Sequence, residues 1–109
     1  MSRLWLALGG VFGLLAVAMS AVAAHAAIPM LRDAAQMQGW HALALLFCAL
    51  RERPLVRWAG AAFAAGVLLF CGDIYALAFA GVHLHVAPVG GVLLMAGWAL
   101  LGVSALRDA

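Results

Sequence analysis

The sequence predicts an all-α fold, an integral membrane four-helix bundle. Three observations carry that prediction. Hydrophobic residues make up 69% of the 109 residues and charged residues only 9%. Mean hydropathy is +1.14. The apolar residues also fall into four runs, each near the roughly 20 residues that cross about 30 Å of hydrocarbon. A soluble domain this short has a large surface for its volume and needs far more charge to clothe it. Burial in lipid removes that need.

The remaining composition excludes several classes. The net charge of +2 comes from six arginines and no lysine. It is too small and scattered for a nucleic-acid surface, which needs a clustered basic stripe. Cys48 and Cys71 form no C-x-x-C motif and fall near opposite ends of their helices, so no disulfide is expected. No Ser-His-Asp order, glycine-rich phosphate loop or paired-carboxylate motif is present. Ser20 and Ser104 sit on small-residue faces and Ser2 lies at the terminus, so no catalytic serine and no enzyme activity are expected.

One transmembrane domain over residues 1–109 is expected, with helices at 4–27, 34–50, 56–80 and 88–106. The first run also has signal-peptide features: Arg3, an apolar core, and Ala21-Val22-Ala23. It is longer than a usual signal core, which favours a retained helix. Gly9, Gly13, Ala16, Ser20, Ala23 and Ala27 recur at spacings of four and three, giving one face without bulk for a neighbouring helix. Residues 28–33 are expected to be a loop, because Pro29 breaks a helix and Arg32 with Asp33 needs water. In the second helix Gln38, His41, Leu45 and Cys48 share a face. Arg51-Glu52-Arg53-Pro54 is the clearest turn. The third helix carries the small pairs Gly60 with Ala64 and Ala62 with Gly66. Residues 81–87 form the third loop, with His83 and His85. Pro88 suits the first turn of the fourth helix. There Gly90, Gly97 and Ser104 lie seven apart on one packing face.

Four crossings place Arg3, Arg51, Arg53, Arg57 and Arg107 on one side and Arg32 alone on the other. The positive-inside rule then puts both termini in the cytoplasm, as a multi-pass protein of the inner membrane, or on the matrix side of a mitochondrial one. Trp5 and Trp58 fall near the inner interface and Trp40 near the outer one, as belt residues; Trp98 is expected in the core.

Chemistry is expected to centre on Asp73, the one carboxylate inside an apolar run. An ionised Asp at mid-membrane costs roughly 2.5–3.5 kcal/mol, so it must face a partner or water, or stay protonated. Counting about 1.5 Å per residue puts His41 about 10 Å deep and Asp73 about 12 Å deep on the outer side. The matching depths predict a polar pocket opening outward and built from Asp73, His41, Gln38, His25 and Tyr75. Three roles compete for it. The first is interhelical hydrogen bonding that fixes register. The second is proton or ion handling. The third is a haem or metal site using His25, His41, Asp73 or His83-x-His85. No helix carries an i,i+4 His pair or H-E-x-x-H, so neither metal nor cofactor is expected.

Four ordered motifs resemble a known family. Ala24-His25-Ala26 closes the first helix where that family has Gly-Ala-His-Ala. Gln38-Gly39-Trp40-His41-Ala42-Leu43-Ala44-Leu45 resembles its Tyr-Gln-x-x-His-Ala-Leu-Ala-Leu signature, with Met37 in place of Tyr. Phe70-Cys71-Gly72-Asp73-Ile74-Tyr75 resembles Phe-Ser-Gly-Ser-Leu-Tyr, with Cys71 replacing Ser and Asp73 where the family has Ser or Asp. Ala87-Pro88-Val89-Gly90-Gly91, then Gly97-Trp98, is similar to Thr-Pro-x-Gly-Gly and Gly-Trp. The family is domain of unknown function 423, the YgdD/YwdK-like small four-helix membrane proteins. The resemblance covers residues 9–102. It implies four membrane helices, with His25, Gln38, His41, Gly72, Pro88, Gly90, Gly91 and Trp98 at family-pattern positions. It implies no activity. Where Ser stands in for Asp73, a carboxylate cannot be essential to a shared mechanism.

The expected function is therefore a non-enzymatic structural or accessory component. Its partners would be the lipid bilayer and, through Gly9, Gly13, Gly60, Gly66, Gly90 and Gly97, copies of itself or a larger membrane complex. The alternative is a small transporter or channel for protons, ions or a small molecule, using the outer His41/Asp73 pocket. Four-helix multidrug exporters of similar size depend on a carboxylate in helix one, and helix one has none here.

Overall fold

A computed structural model describes residues 2–107. Four helices follow one another: α1 (Arg3–Ala26), α2 (Pro29–Leu50), α3 (Pro54–Ala80) and α4 (Ala87–Arg107). The molecule is an integral membrane four-helix bundle. Its 45 Å long axis matches the roughly 40–45 Å of a bilayer with its headgroup regions.

Each helix starts for a local reason. Ser2 caps α1, its Oγ accepting from the Trp5 amide at 3.2 Å. Pro29 and Pro54 stand at the first positions of α2 and α3, where a missing N–H costs nothing. Pro29 thus opens a helix instead of breaking one, and α2 begins five residues before the expected start at 34. Arg32 and Asp33 lie in its first two turns and reach water from there, both side chains being exposed. Ala27, at φ 55°, ends α1, and Gly81, at φ 67°, ends α3. Glycine carries the left-handed conformation at Gly81 without a Cβ penalty.

Three helices, α1, α3 and α4, are long and apolar enough to cross a membrane. α2 falls outside that group, and its position explains why. It packs on both α1 and α3, while α4 packs on α3. Ten of its 22 residues are buried. A helix clothed by its neighbours presents less surface to lipid and tolerates Gln38 and His41.

Close helix contacts run through small residues. A Cβ on Gly9 would meet Leu46 at 2.7 Å and the Ala42 carbonyl at 3.1 Å; Gly13 faces Ala42 with more room, at 3.9 Å. Gly60 lies under the Trp5 indole, at 2.6 Å from an added Cβ. An added Cβ would meet the Phe63 ring at 2.5 Å from Gly97 and Leu94 at 2.6 Å from Gly66. Gly90 makes the tightest approach: its Cβ would strike the Phe70 backbone nitrogen, with Phe70 Cα at 2.9 Å. The four tryptophans depart from a belt pattern. Trp58 is exposed, but Trp5 is buried at 9% exposure against Gly60. Trp40 stands mid-helix because α2 starts early. Trp98 is half exposed, at 49%, and not in the core.

Candidate functional site

The polar side chains of the helices form a chain of interhelical ties centred on α2. Gln38, 2% exposed, bridges three helices. Its Nε2 donates to the Phe12 carbonyl of α1 at 2.9 Å, and its Oε1 accepts from the Tyr75 hydroxyl of α3 at 2.6 Å. A buried amide needs such partners, since an unpaired one in an apolar setting costs several kcal/mol. One turn away, the Cys71 thiol of α3 donates to the Ala34 carbonyl at 3.4 Å. Both cysteines are free thiols.

His41 is 3% exposed and bonded at both ring nitrogens. Nδ1 lies 2.6 Å from the Met37 carbonyl, and Nε2 lies 2.9 Å from Trp98 Nε1. A carbonyl only accepts and an indole N–H only donates. The network therefore assigns the proton to Nδ1 and leaves Nε2 as acceptor, making the ring neutral. His41, Phe63 and Trp98 also pack as an aromatic cluster, with centroids 5.0–5.7 Å apart.

Asp73 lies elsewhere. Its Oδ1 accepts from the Leu84 amide at 3.2 Å, and its Oδ2 accepts from Val86 at 3.0 Å and Ala87 at 2.8 Å. Val86, the residue before α4, has no side chain that can cap, and the first amides of a helix lack internal partners. Asp73 supplies the cap from α3. His85, at φ 60°, turns successive amides toward the carboxylate, forming the kind of concavity that binds anions. The predicted His41–Asp73 pair is not formed. The early start of α2 puts His41 about 18 Å along that helix at about 1.5 Å per residue, so the matching depths fail. The loop before α4 reaches the carboxylate first.

The expected five-residue pocket thus divides. Gln38 and Tyr75 meet directly, His41 joins Trp98, Asp73 joins the loop, and His25 is exposed in the last turn of α1. His83 and His85 stack, with centroids 5.7 Å apart. Among the described residues no three His, Cys, Asp or Glu side chains gather as metal ligands.

The sequence reading expected Trp98 in the core and at a family-pattern position, but missed it as the partner of His41. The signal was available: an indole N–H inside an apolar helix needs an acceptor, and His41 is the nearest imidazole by depth. It also missed a lateral groove of about 1230 Å³ between α2 and α4, whose floor includes His41 and Ser104 and whose end is Arg51.

Residues 10–91 match the family described as protein of unknown function (DUF423). Similar proteins include the UPF0382 inner membrane protein YgdD of Escherichia coli K12, 34% identical over 97% of this chain and 92% of that protein. A UPF0382 membrane protein of Haemophilus influenzae is 31% identical over 99% and 98%. One from Staphylococcus epidermidis is 31% identical over 98% of each. No solved structure matches.

Proposed function

Because the chain belongs to DUF423, a family of membrane proteins of unknown function, we propose that it is a non-enzymatic structural or accessory component of the inner membrane. It packs with copies of itself or with a larger membrane complex. The observation that supports this reading is how the polar groups are used. Gln38, Tyr75, Cys71, Trp98 and Asp73 each bond to a different helix or to the loop before α4. Groups that hold helices together are not poised to exchange protons or bind an ion. The outer surface, by contrast, is apolar, with Leu14, Val17, Leu43, Leu68 and Met95 all exposed. The chain crosses four times, with both termini and the Arg51–Arg53 turn in the cytoplasm, as the arginine bias requires.

The test is the native mass of the gently solubilised, tagged protein, with identification of what travels with it. Oligomers or a defined set of membrane proteins are expected. A lone monomer, with no partner found by crosslinking in the membrane, would overturn the reading.

A further inference from the structure

The groove between α2 and α4 is independent of that reading and has a length, a polarity and a charged end. Its walls are Leu43, Phe47 and Trp98 with Leu101, and its floor includes Ala44 and Ser104. From His41 to Arg51 it follows ten residues of α2, about 15 Å at about 1.5 Å per residue. That is half of the roughly 30 Å hydrocarbon core, the depth of one leaflet. Its volume of about 1230 Å³ exceeds the roughly 300–1,000 Å³ of ordinary small-molecule sites. A long amphiphile suits it better than a compact ligand.

The end of the groove is cationic. Arg51 lines both the groove and a polar cavity of about 350 Å³ shared with Ser2, Glu52 and Arg57. Among the described residues Glu52 is the one carboxylate at that end, against Arg3, Arg51, Arg53, Arg57 and Arg107. A second copy of the chain is a poor occupant. Its helix would have to cover Arg51, and the described acidic residues of the helices are Asp33, at the opposite end, and Asp73, which caps α4.

We infer that the groove holds one anionic phospholipid from the leaflet on the arginine side. Its phosphate pairs with Arg51, and an acyl chain lies along Leu43, Phe47 and Leu101 toward Trp98. Any lipid could fill the trough. The arginine end is what selects an anionic headgroup, because juxtamembrane arginines attract anionic lipid.

The experiment uses the full chain in nanodiscs of phosphatidylcholine with a minor share of phosphatidylglycerol. Native mass spectrometry reads which lipid stays on the released protein. The wild type should retain phosphatidylglycerol above its share of the bilayer. Arg51→Gln should lose that enrichment about fivefold, the weight of one arginine near the surface. Arg53→Gln removes the same charge at the same end but does not line the groove, and should keep it. Gly102→Leu should lower retention of both lipids, since a Cβ there meets nothing within 4 Å and the side chain enters the groove. Helical circular dichroism and melting of each variant show that it is folded. Three results overturn the inference: no enrichment in the wild type, equal losses from Arg51→Gln and Arg53→Gln, or unchanged retention in folded Gly102→Leu. Arg51→Gln and Gly102→Leu leave oligomeric state and protein partners unchanged if only the lipid is lost, which separates this test from the accessory reading.

Discussion

Gly90→Ala is the sharpest test of how α3 and α4 approach. The added methyl meets backbone: the Phe70 nitrogen, Phe70 Cα at 2.9 Å, and the Gly66 carbonyl at 3.0 Å. Backbone cannot rotate away as a side-chain tip can. Restoring ordinary contact at 3.4 Å or more separates the helices by at least roughly 0.5 Å, and a gap of about 0.5–1 Å forfeits a quarter to a half of each dispersion contact. In lipid such packing is a main source of helix association. Overpacking of this kind costs about 1–3 kcal/mol, while alanine's better helix propensity returns about 0.5–1 kcal/mol. The expected net loss is about 0–2.5 kcal/mol, centred near about 1 kcal/mol, measured as a lower midpoint in sodium dodecyl sulfate titration of the protein in mixed micelles. Gly102→Ala is the matched control, because its Cβ meets nothing within 4 Å. It should be neutral or stabilising by about 0.5–1 kcal/mol. If Gly90→Ala is as stable as Gly102→Ala, the close approach at Phe70 is wrong.

Gln38→Leu should cost about 1–2 kcal/mol, since it removes two interhelical bonds that average about 0.6 kcal/mol each in membrane proteins. In a double-mutant cycle of Gln38→Leu with Tyr75→Phe, purely additive costs would show that the two side chains do not interact. Asp73→Ala should speed hydrogen exchange at the Leu84, Val86 and Ala87 amides and cost about 0.5–2 kcal/mol, the value of a helix cap. Unchanged exchange at those three amides would remove the capping role. Asp73→Asn should leave ion flux in proteoliposomes unchanged, and a loss of specific flux would favour the transporter alternative. Single cysteines at Arg53 and His83, in a background with Cys48 and Cys71 replaced by serine, should label from opposite sides of the membrane. Labelling from one side would refute the four-pass topology.

Much of the bundle is legible in the sequence because lipid imposes simple demands. Hydrophobic length gives the helices, and small residues at spacings of four and seven give the faces where backbones approach. The exact start of α2 is not legible that way. Proline both stops helices and starts them, and Arg32-Asp33 looks like a loop unless the first two turns are allowed to stand in water. That five-residue error carries into the site. Depth counted from the wrong start aligned His41 with Asp73. Gln38, His41, Asp73 and Tyr75 stand out in the sequence as polar groups in apolar runs, but partner choice depends on where helices face one another and on how a loop folds back. Neither is encoded in the spacing within one helix. The Asp73 contacts come from main-chain amides, which every residue carries and no composition reveals.

The distribution of ties also explains where the groove lies. In lipid the helices gain nothing from hiding apolar surface from one another, so packing and hydrogen bonds must specify each interface. α1 and α2 have the Gly9 contact and the Gln38 bond to Phe12. α2 and α3 have the Cys71 and Tyr75 bonds. α3 and α4 have Gly66 and Gly90, with the Asp73 cap binding the loop before α4. Between α2 and α4 the bond from Trp98 to His41 is the hydrogen bond that joins them, and no glycine brings their backbones together. Below that bond, toward Arg51, no hydrogen bond between the two helices and no glycine contact is seen among the described residues. The space that opens there is the groove proposed above to hold a phospholipid, about one leaflet deep. The α2–α4 groove, beside the bond from Trp98 to His41, is where the proposed phospholipid would lie.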